Sequence, residues 1–308
     1  MNKRLNTCQK LLLALISLWV FPGALAAQEY TPKGADTCLM CHGGGQSAVM
    51  PIFNTKHGSR SDPDAPFSGT QCESCHGPSN EHVAGKMKGQ SVPVQRTFGD
   101  DDQASVADQN GACLNCHKDH ENQGWFGSAH ERTDVACVSC HSIHEQRDPV
   151  FDPIQQQETC FTCHPRTRSD TLKASGHPLR FGKMTCSDCH NVHDGNSDFL
   201  LKADDINDNC YSCHAEKRGP FLWEHAPVTE ECTLCHQAHG SNHPAMLTKR
   251  PPLLCQQCHS ASGHPSVSYS SDDIADNTNN RFLLAKSCTN CHSQVHGSNH
   301  PSGASRIR

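Results

Sequence analysis

The chain is poor in what builds a protein interior. Aromatic residues make up 6% of its 308 positions, methionine occurs 6 times, and the 35% hydrophobic fraction already includes 21 cysteines. Too few Leu, Ile, Val and Phe residues remain to offset the chain entropy of an ordinary core. A conventional globular domain is therefore a poor fit, although the length would suit one or two. After residue 26 no apolar run approaches the roughly 20 residues that cross a bilayer. Basic residues are in deficit, 26 Lys and Arg against 32 Asp and Glu, and the formal charge of −6 argues against nucleic acid as a partner. Either the chain is disordered or something other than side chains supplies its core.

Residues 1–26 read as a secretory signal peptide. Lys3, Arg4 and Lys10 form a positive start, Leu11 to Phe21 an apolar stretch, and Ala24-Leu25-Ala26 a small-residue cleavage site. The stretch is too short for a spanning anchor. Cys8 precedes it and is badly placed for lipid attachment, so it is expected to leave with the leader. Losing Lys3, Arg4 and Lys10 takes the formal charge from −6 to −9. The remainder, 27–308, is expected to be soluble outside the cytoplasm.

The other 20 cysteines fall into ten Cys-x-x-Cys pairs, each followed at once by histidine. The pairs are Cys38 and Cys41, Cys72 and Cys75, Cys113 and Cys116, Cys137 and Cys140, and Cys160 and Cys163. The second five are Cys186 and Cys189, Cys210 and Cys213, Cys232 and Cys235, Cys255 and Cys258, and Cys288 and Cys291. The histidines that follow are His42, His76, His117, His141, His164, His190, His214, His236, His259 and His292. Chance would place roughly 0.1 such motifs in a chain of this composition. Disulfides would not require a histidine after every pair, and zinc ribbons need Cys-x-x-Cys pairs but no adjacent histidine. Two thiols at this spacing each form a thioether to one haem vinyl group, and the next imidazole binds the iron. The reading is ten covalently bound haem c groups, which also supply the missing core.

What fills the second axial position of each iron separates electron transfer from catalysis. Of 23 histidines, ten are taken as proximal ligands and thirteen remain, while methionine is scarce, so histidine is the expected partner. Read in consecutive pairs, the motifs repeat the order motif, His, motif, His. That order picks out His57 and His82, His130 and His144, His177 and His193, His225 and His239, and His264 and His296. "HERTDVACVSCHSIH", "HPLRFGKMTCSDCHNVH" and "HAPVTEECTLCHQAH" share the pattern. His120, His243 and His300 fall outside it. A histidine three residues past its own motif would have to wrap the macrocycle edge to cap the same haem. It is expected to reach a neighbouring haem and interlock the two.

The segments "ADQNGACLNCH", "QQQETCFTCH" and "DDINDNCYSCH" predict short helices running into odd-numbered motifs. Gly-, Pro-, Ser- and Asp-rich stretches elsewhere predict turns. The expected fold is a multihaem c-type cytochrome, mostly irregular coil with short α-helices wrapped around a haem stack and little or no β-sheet. Residues 165–176 are the best boundary between two five-haem halves, about 27–170 and 171–308.

The stretches "YTPKGADTCLMCH", "HPLRFGKMTCSDCHNVH", "CYSCHAEKRGPFLWEHAPVTEECTLCH", "PPLLCQQCH" and "CTNCHSQVHGSNHPSG" carry a resemblance that spans nearly all of 27–308. The chain resembles the periplasmic decahaem cytochromes of outer-membrane porin–cytochrome conduits, the MtrA and DmsE type. The resemblance implies a bis-histidine wire partly sheathed by a β-barrel porin. Such a wire takes electrons from a periplasmic or inner-membrane quinol-linked cytochrome and delivers them to an extracellular multihaem cytochrome or terminal reductase in anaerobic respiration. It assigns the ten patterned histidines as distal ligands and gives no support to His120 or His243.

Three functions compete on these residues. A conduit needs every iron closed by two ligands. A multihaem reductase needs one exchangeable position, which ten spare imidazoles would leave no room for, so no catalytic residue is expected. A freely diffusing periplasmic carrier would need no porin.

Overall fold

The structure is a computed structural model and describes residues 29–45, 47–99, 104–118, 124–194, 197–259, 288–301 and 303. The leader, His120 and His264 lie outside the described residues.

Helices begin where a short polar side chain caps free backbone N–H groups. Ser105 accepts from Asp108 N at 3.1 Å and starts α4, Val106–Leu114. Asp152 accepts from Ile154 N and Gln155 N, both at 3.0 Å, and starts α6, Pro153–Phe161. Asp205 accepts from Asp208 N at 2.7 Å and starts α8, Ile206–Tyr211. Each cap relieves donors that the helix itself leaves unpaired. These are the three helices expected ahead of motifs 3, 5 and 7, and each carries the first cysteine of its motif. The helix α1, Ala35–His42, does the same for motif 1. The remaining helices are α2 Glu73–His76, α3 Asn80–Met87, α5 Ala129–Arg132, α7 Pro165–Thr171 and α9 Ala226–Glu230.

Four of the five even-numbered motifs fold differently, motif 2 being helical over Glu73–His76. Cys137–Ser139, Cys186–Asp188, Cys232–Leu234 and Cys288–Asn290 are single 3-10 turns, as is Cys255–Gln257 in motif 9. In both geometries the motif histidine N–H donates to the carbonyl of its first cysteine, for example His117 to Cys113 and His141 to Cys137 at 2.9 Å. That single turn puts the first sulfur and the imidazole on one side of the chain.

Among the described residues there is no sheet, only isolated antiparallel bridges at Ser175–Ser241, His190–Leu201, Trp223–Ser298 and His236–Leu247. The expectation of short helices, irregular backbone and no sheet therefore describes this fold. No described helix is long and apolar enough to cross a membrane.

The chain divides into two compact units, the described parts of Met1–Ser47 with Arg60–Arg96, and of Ala48–Ser59 with Thr97–Arg308. The first holds motifs 1 and 2. Its centre is polar: the carboxylate of Glu73, 3% exposed, accepts from Thr31 N at 3.1 Å, Thr31 Oγ1 at 2.8 Å and Ser79 N at 2.8 Å. The second holds the other motifs. The buried apolar side chains described there are Ala112, Trp125, Ala136 and Phe161, two of them alanines. An interior this small cannot offset chain entropy alone, as the composition indicated.

Candidate functional site

The motifs meet two by two. The first thiols of motifs 1 and 2, Cys38 and Cys72, hydrogen-bond each other. The same contact joins Cys113 to Cys137, Cys160 to Cys186, Cys210 to Cys232 and Cys255 to Cys288. The pairing read from the repeat is thus a physical pairing of sulfurs. The hydrogen bond from Cys38 holds the Cys72 thiol down to about 7, and Cys160 does the same for Cys186, also to about 7. The donors Cys38 and Cys160 are raised in turn, chiefly by the same bonds. Burial pushes Cys210 and Cys255 up to about 11. None of the 20 motif cysteines forms a disulfide.

Side-chain amides hold the pairs in register, and sequence reasoning missed them. Asn110, three residues before Cys113, accepts from Cys137 N at 2.8 Å and donates to Val135 O at 3.1 Å. Asn207, three residues before Cys210, accepts from Cys232 N at 2.8 Å and donates to Val228 O at 3.2 Å. Gln71 accepts from Ala35 N at 2.6 Å across motifs 1 and 2. Gln156 accepts from Ser187 N at 3.2 Å across motifs 5 and 6. The available signal was Asn-x-x-Cys, present in both motif 3 and motif 7.

The histidine rings are arranged between successive pairs. A histidine lying between the two motifs of one pair faces the odd motif of the next pair. His57 faces His117 at a ring-centroid distance of 5.9 Å, His130 faces His164 at 6.2 Å, His177 faces His214 at 6.4 Å, and His225 faces His259 at 6.1 Å. A histidine following a pair faces the even motif of the pair before. His193 faces His141 at 5.9 Å, His239 faces His190 at 6.0 Å, and His296 faces His236 at 6.1 Å. The third and fourth pairs each give one ring forward and one ring back.

These distances test whether the residues fit a haem iron. A metal–imidazole nitrogen bond is about 2 Å, so two imidazoles bound across one metal have centroids about 6 Å apart. Seven opposed pairs meet that requirement. Among the described residues no three His, Cys, Asp or Glu side chains gather as a metal cage, so the donors come as opposed twos. Burial lowers the imidazoles of His57, His76, His239 and His296, which favours the neutral, lone-pair form that binds metal.

The outer nitrogens are held as well. The Nδ1 of His177 lies 3.0 Å from Ala238 O, and that of His225 lies 2.8 Å from Val295 O. His130 Nδ1 lies 3.4 Å from Val192 O. Each carbonyl belongs to the residue just before His239, His296 or His193, so the forward and backward rings brace each other. On the even motifs, Nδ1 of His76, His190 and His236 meets Arg96 O at 3.0 Å, Phe199 O at 2.9 Å and Ala245 O at 2.8 Å. His141 differs: its Nδ1 lies 2.6 Å from Asp148 Oδ2. A hydrogen bond to Nδ1 fixes the tautomer that leaves Nε2 for metal.

Two of those carbonyls are presented by left-handed backbone. Phe199 and Leu200 have φ of 57° and 55°, and Ala245 and Met246 have 54° and 53°. Non-glycine residues avoid this region, so the repeated strain marks a required carbonyl direction.

Of the remaining sequence-expected residues, His82 sits on α3 in the first unit with Nδ1 2.6 Å from Val92 O. His144 lies in the turn three residues past His141. Outside the pattern, His243 and His300 close matching turns: their N–H groups donate to Ser241 Oγ at 3.0 Å and Ser298 Oγ at 3.2 Å.

The doubled CXXCH motif family matches residues 177–219 and 225–264. The cytochrome c-type protein NrfB-like family matches 72–153, and the cytochrome c554 and c-prime family matches 24–77. Over 280 residues the chain is 49% identical to multiheme cytochrome MtrA of Shewanella baltica (strain OS185), covering 90% of this chain and 82% of that protein. CXXCH families attach haem c covalently, and the paired motif cysteines and opposed imidazoles described above fit that cofactor. The chain belongs to the multihaem c-type cytochromes, in the family of MtrA.

Proposed function

We propose that this protein carries ten haem c groups, each closed by two histidines, and conducts electrons across the outer membrane inside a β-barrel porin. The observation that carries the reading is the exchange of rings between successive motif pairs, seven times at 5.9 to 6.4 Å. Once attached, haem supplies a one-electron iron couple. The chain's residues do the rest. The cysteines would anchor the group through two thioethers per motif, and each iron would be held by a motif histidine together with a second imidazole from His57, His130, His177, His193, His225, His239 or His296. The same distal role is proposed for His82, His144 and His264 on their place in the repeat.

With two imidazoles on each iron, none would be open to substrate, which favours an electron carrier over an enzyme. Interlocking of the histidine rings at motifs 3 to 9 would fix the haems there against neighbouring pairs, and a fixed, close series is what conduction over a bilayer of about 30 Å requires. The proposed location is the periplasm, at the outer membrane. The proposed donor is a periplasmic or inner-membrane quinol-linked cytochrome, and the acceptor an extracellular multihaem cytochrome or terminal reductase. The resemblance to MtrA supports these partners.

Purification of the holoprotein from detergent-solubilised outer membranes tests the conduit. A β-barrel protein is expected to elute with it in fixed ratio. Recovery only from the soluble periplasmic fraction, with no barrel, would reduce the reading to a diffusing carrier.

A further inference from the structure

The even-motif histidines His76, His190 and His236 present Nδ1 to a backbone carbonyl, whereas His141 presents it to a carboxylate. The contact is short, 2.6 Å, and both side chains are largely covered, His141 at 27% exposure and Asp148 at 14%. Asp148 is itself held from two sides, its Oδ1 accepting from Ser142 N and Val150 N at 3.3 Å each. Its position is therefore built, since it also caps the 3-10 turn Pro149–Phe151. Around the opposed rings of His141 and His193, Phe151 lies 6.4 Å from the first and the buried Trp125 lies 6.1 Å from the second. The low exposure of Asp148 itself limits the screening of its carboxylate by water. By contrast, His214 Nδ1 lies 3.9 Å from Glu216 Oε1, beyond hydrogen-bond reach and largely exposed.

A carboxylate accepts the Nδ1 proton more strongly than a neutral carbonyl does. The ring then gains imidazolate character and donates more electron density through Nε2, which stabilises the oxidised metal. The negative charge acts in the same direction. Among the motif histidines whose Nδ1 contact is described, His141 is the one held by a carboxylate at hydrogen-bond distance, which sets its site apart from those of His76, His190 and His236.

We infer that Asp148 is a positioning residue that tunes the haem of the fourth motif to the reducing end of the ten. The inference rests on the ligation reading above, in which His141 and His193 hold one iron. Asp148 touches no iron and acts through His141.

The test is potentiometric titration of the full holoprotein, followed by visible absorbance and electron paramagnetic resonance. Asp148→Asn keeps an acceptor for Nδ1–H and removes the charge. One component, a tenth of the haem amplitude at the most negative end, should move to more positive potential while all ten stay low-spin. A titration that superimposes on the wild type overturns the inference. His193→Met provides a second arm should the Asn variant lose a haem, since a thioether ligand raises the potential of the haem it joins. Movement of the most negative component supports the inference, and movement of any other component overturns it. If His193→Met alters no haem spectrum, the ligation reading fails, and the Asp148→Asn titration alone decides the role of Asp148.

Discussion

His239 and His243 sit four residues apart in "HGSNHP", and the same hexapeptide recurs with His296 and His300. Identical local sequence gives each copy two histidines with different work. The first ring turns inward to meet a motif histidine, His190 or His236. The second closes a turn through its backbone N–H on a buried serine, Ser241 or Ser298. Gly240 and Gly297, at φ of 131° and 136°, make the reversal between them possible. Substitution separates the roles. His239→Ala and His296→Ala should each convert one haem from low to high spin in electron paramagnetic resonance of the holoprotein. His243→Ala and His300→Ala should leave every haem low-spin, because the backbone N–H that closes the turn survives the change.

At the scale of elements, the motif pair is the unit of folding, and an amide side chain is its fastener. Asn110 is 6% exposed and satisfies two backbone groups of the partner motif. Asn110→Ala should lower holoprotein stability by about 1–3 kcal/mol, measured by denaturant unfolding, because a half-buried N–H and a half-buried carbonyl lose their partners. Left-handed backbone gives a second element-scale prediction. Ala245→Gly should leave stability unchanged or raise it, whereas Ala245→Val should cost about 1–2 kcal/mol and weaken the carbonyl contact to His236. Much of this level was legible in the residues. Ten motifs, their pairing, the helices before Cys113, Cys160 and Cys210, and the separation of His243 and His300 from the pattern could all be read from spacing and caps. Partner identity could not, because His193 and His141 are far apart in sequence and only the turn after each motif decides which ring meets which. Asp148 was invisible for a similar reason. Nothing in "HEQRDPV" distinguishes a capping aspartate from one aimed at a histidine.

At the scale of the molecule, protein core is scarce and the exchange of rings replaces it. His193 reaches back to His141 and His130 forward to His164, and side chains cross the stretch 165–176, which is itself helical over Pro165–Thr171. The haems of motifs 3 to 9 would each be clasped by two different motif pairs, so removing one haem should loosen its neighbours. Cys186→Ala with Cys189→Ala should therefore disturb the haem of motif 4 as well, through the displaced His193, and absorbance-monitored heat unfolding should begin earlier. The central claim is that no iron in this chain is left open. Spin-integrated electron paramagnetic resonance of the native, oxidised holoprotein tests it most directly. The account predicts that low-spin bis-imidazole signals account for all ten irons, and a high-spin signal from one tenth of the iron or more would contradict it.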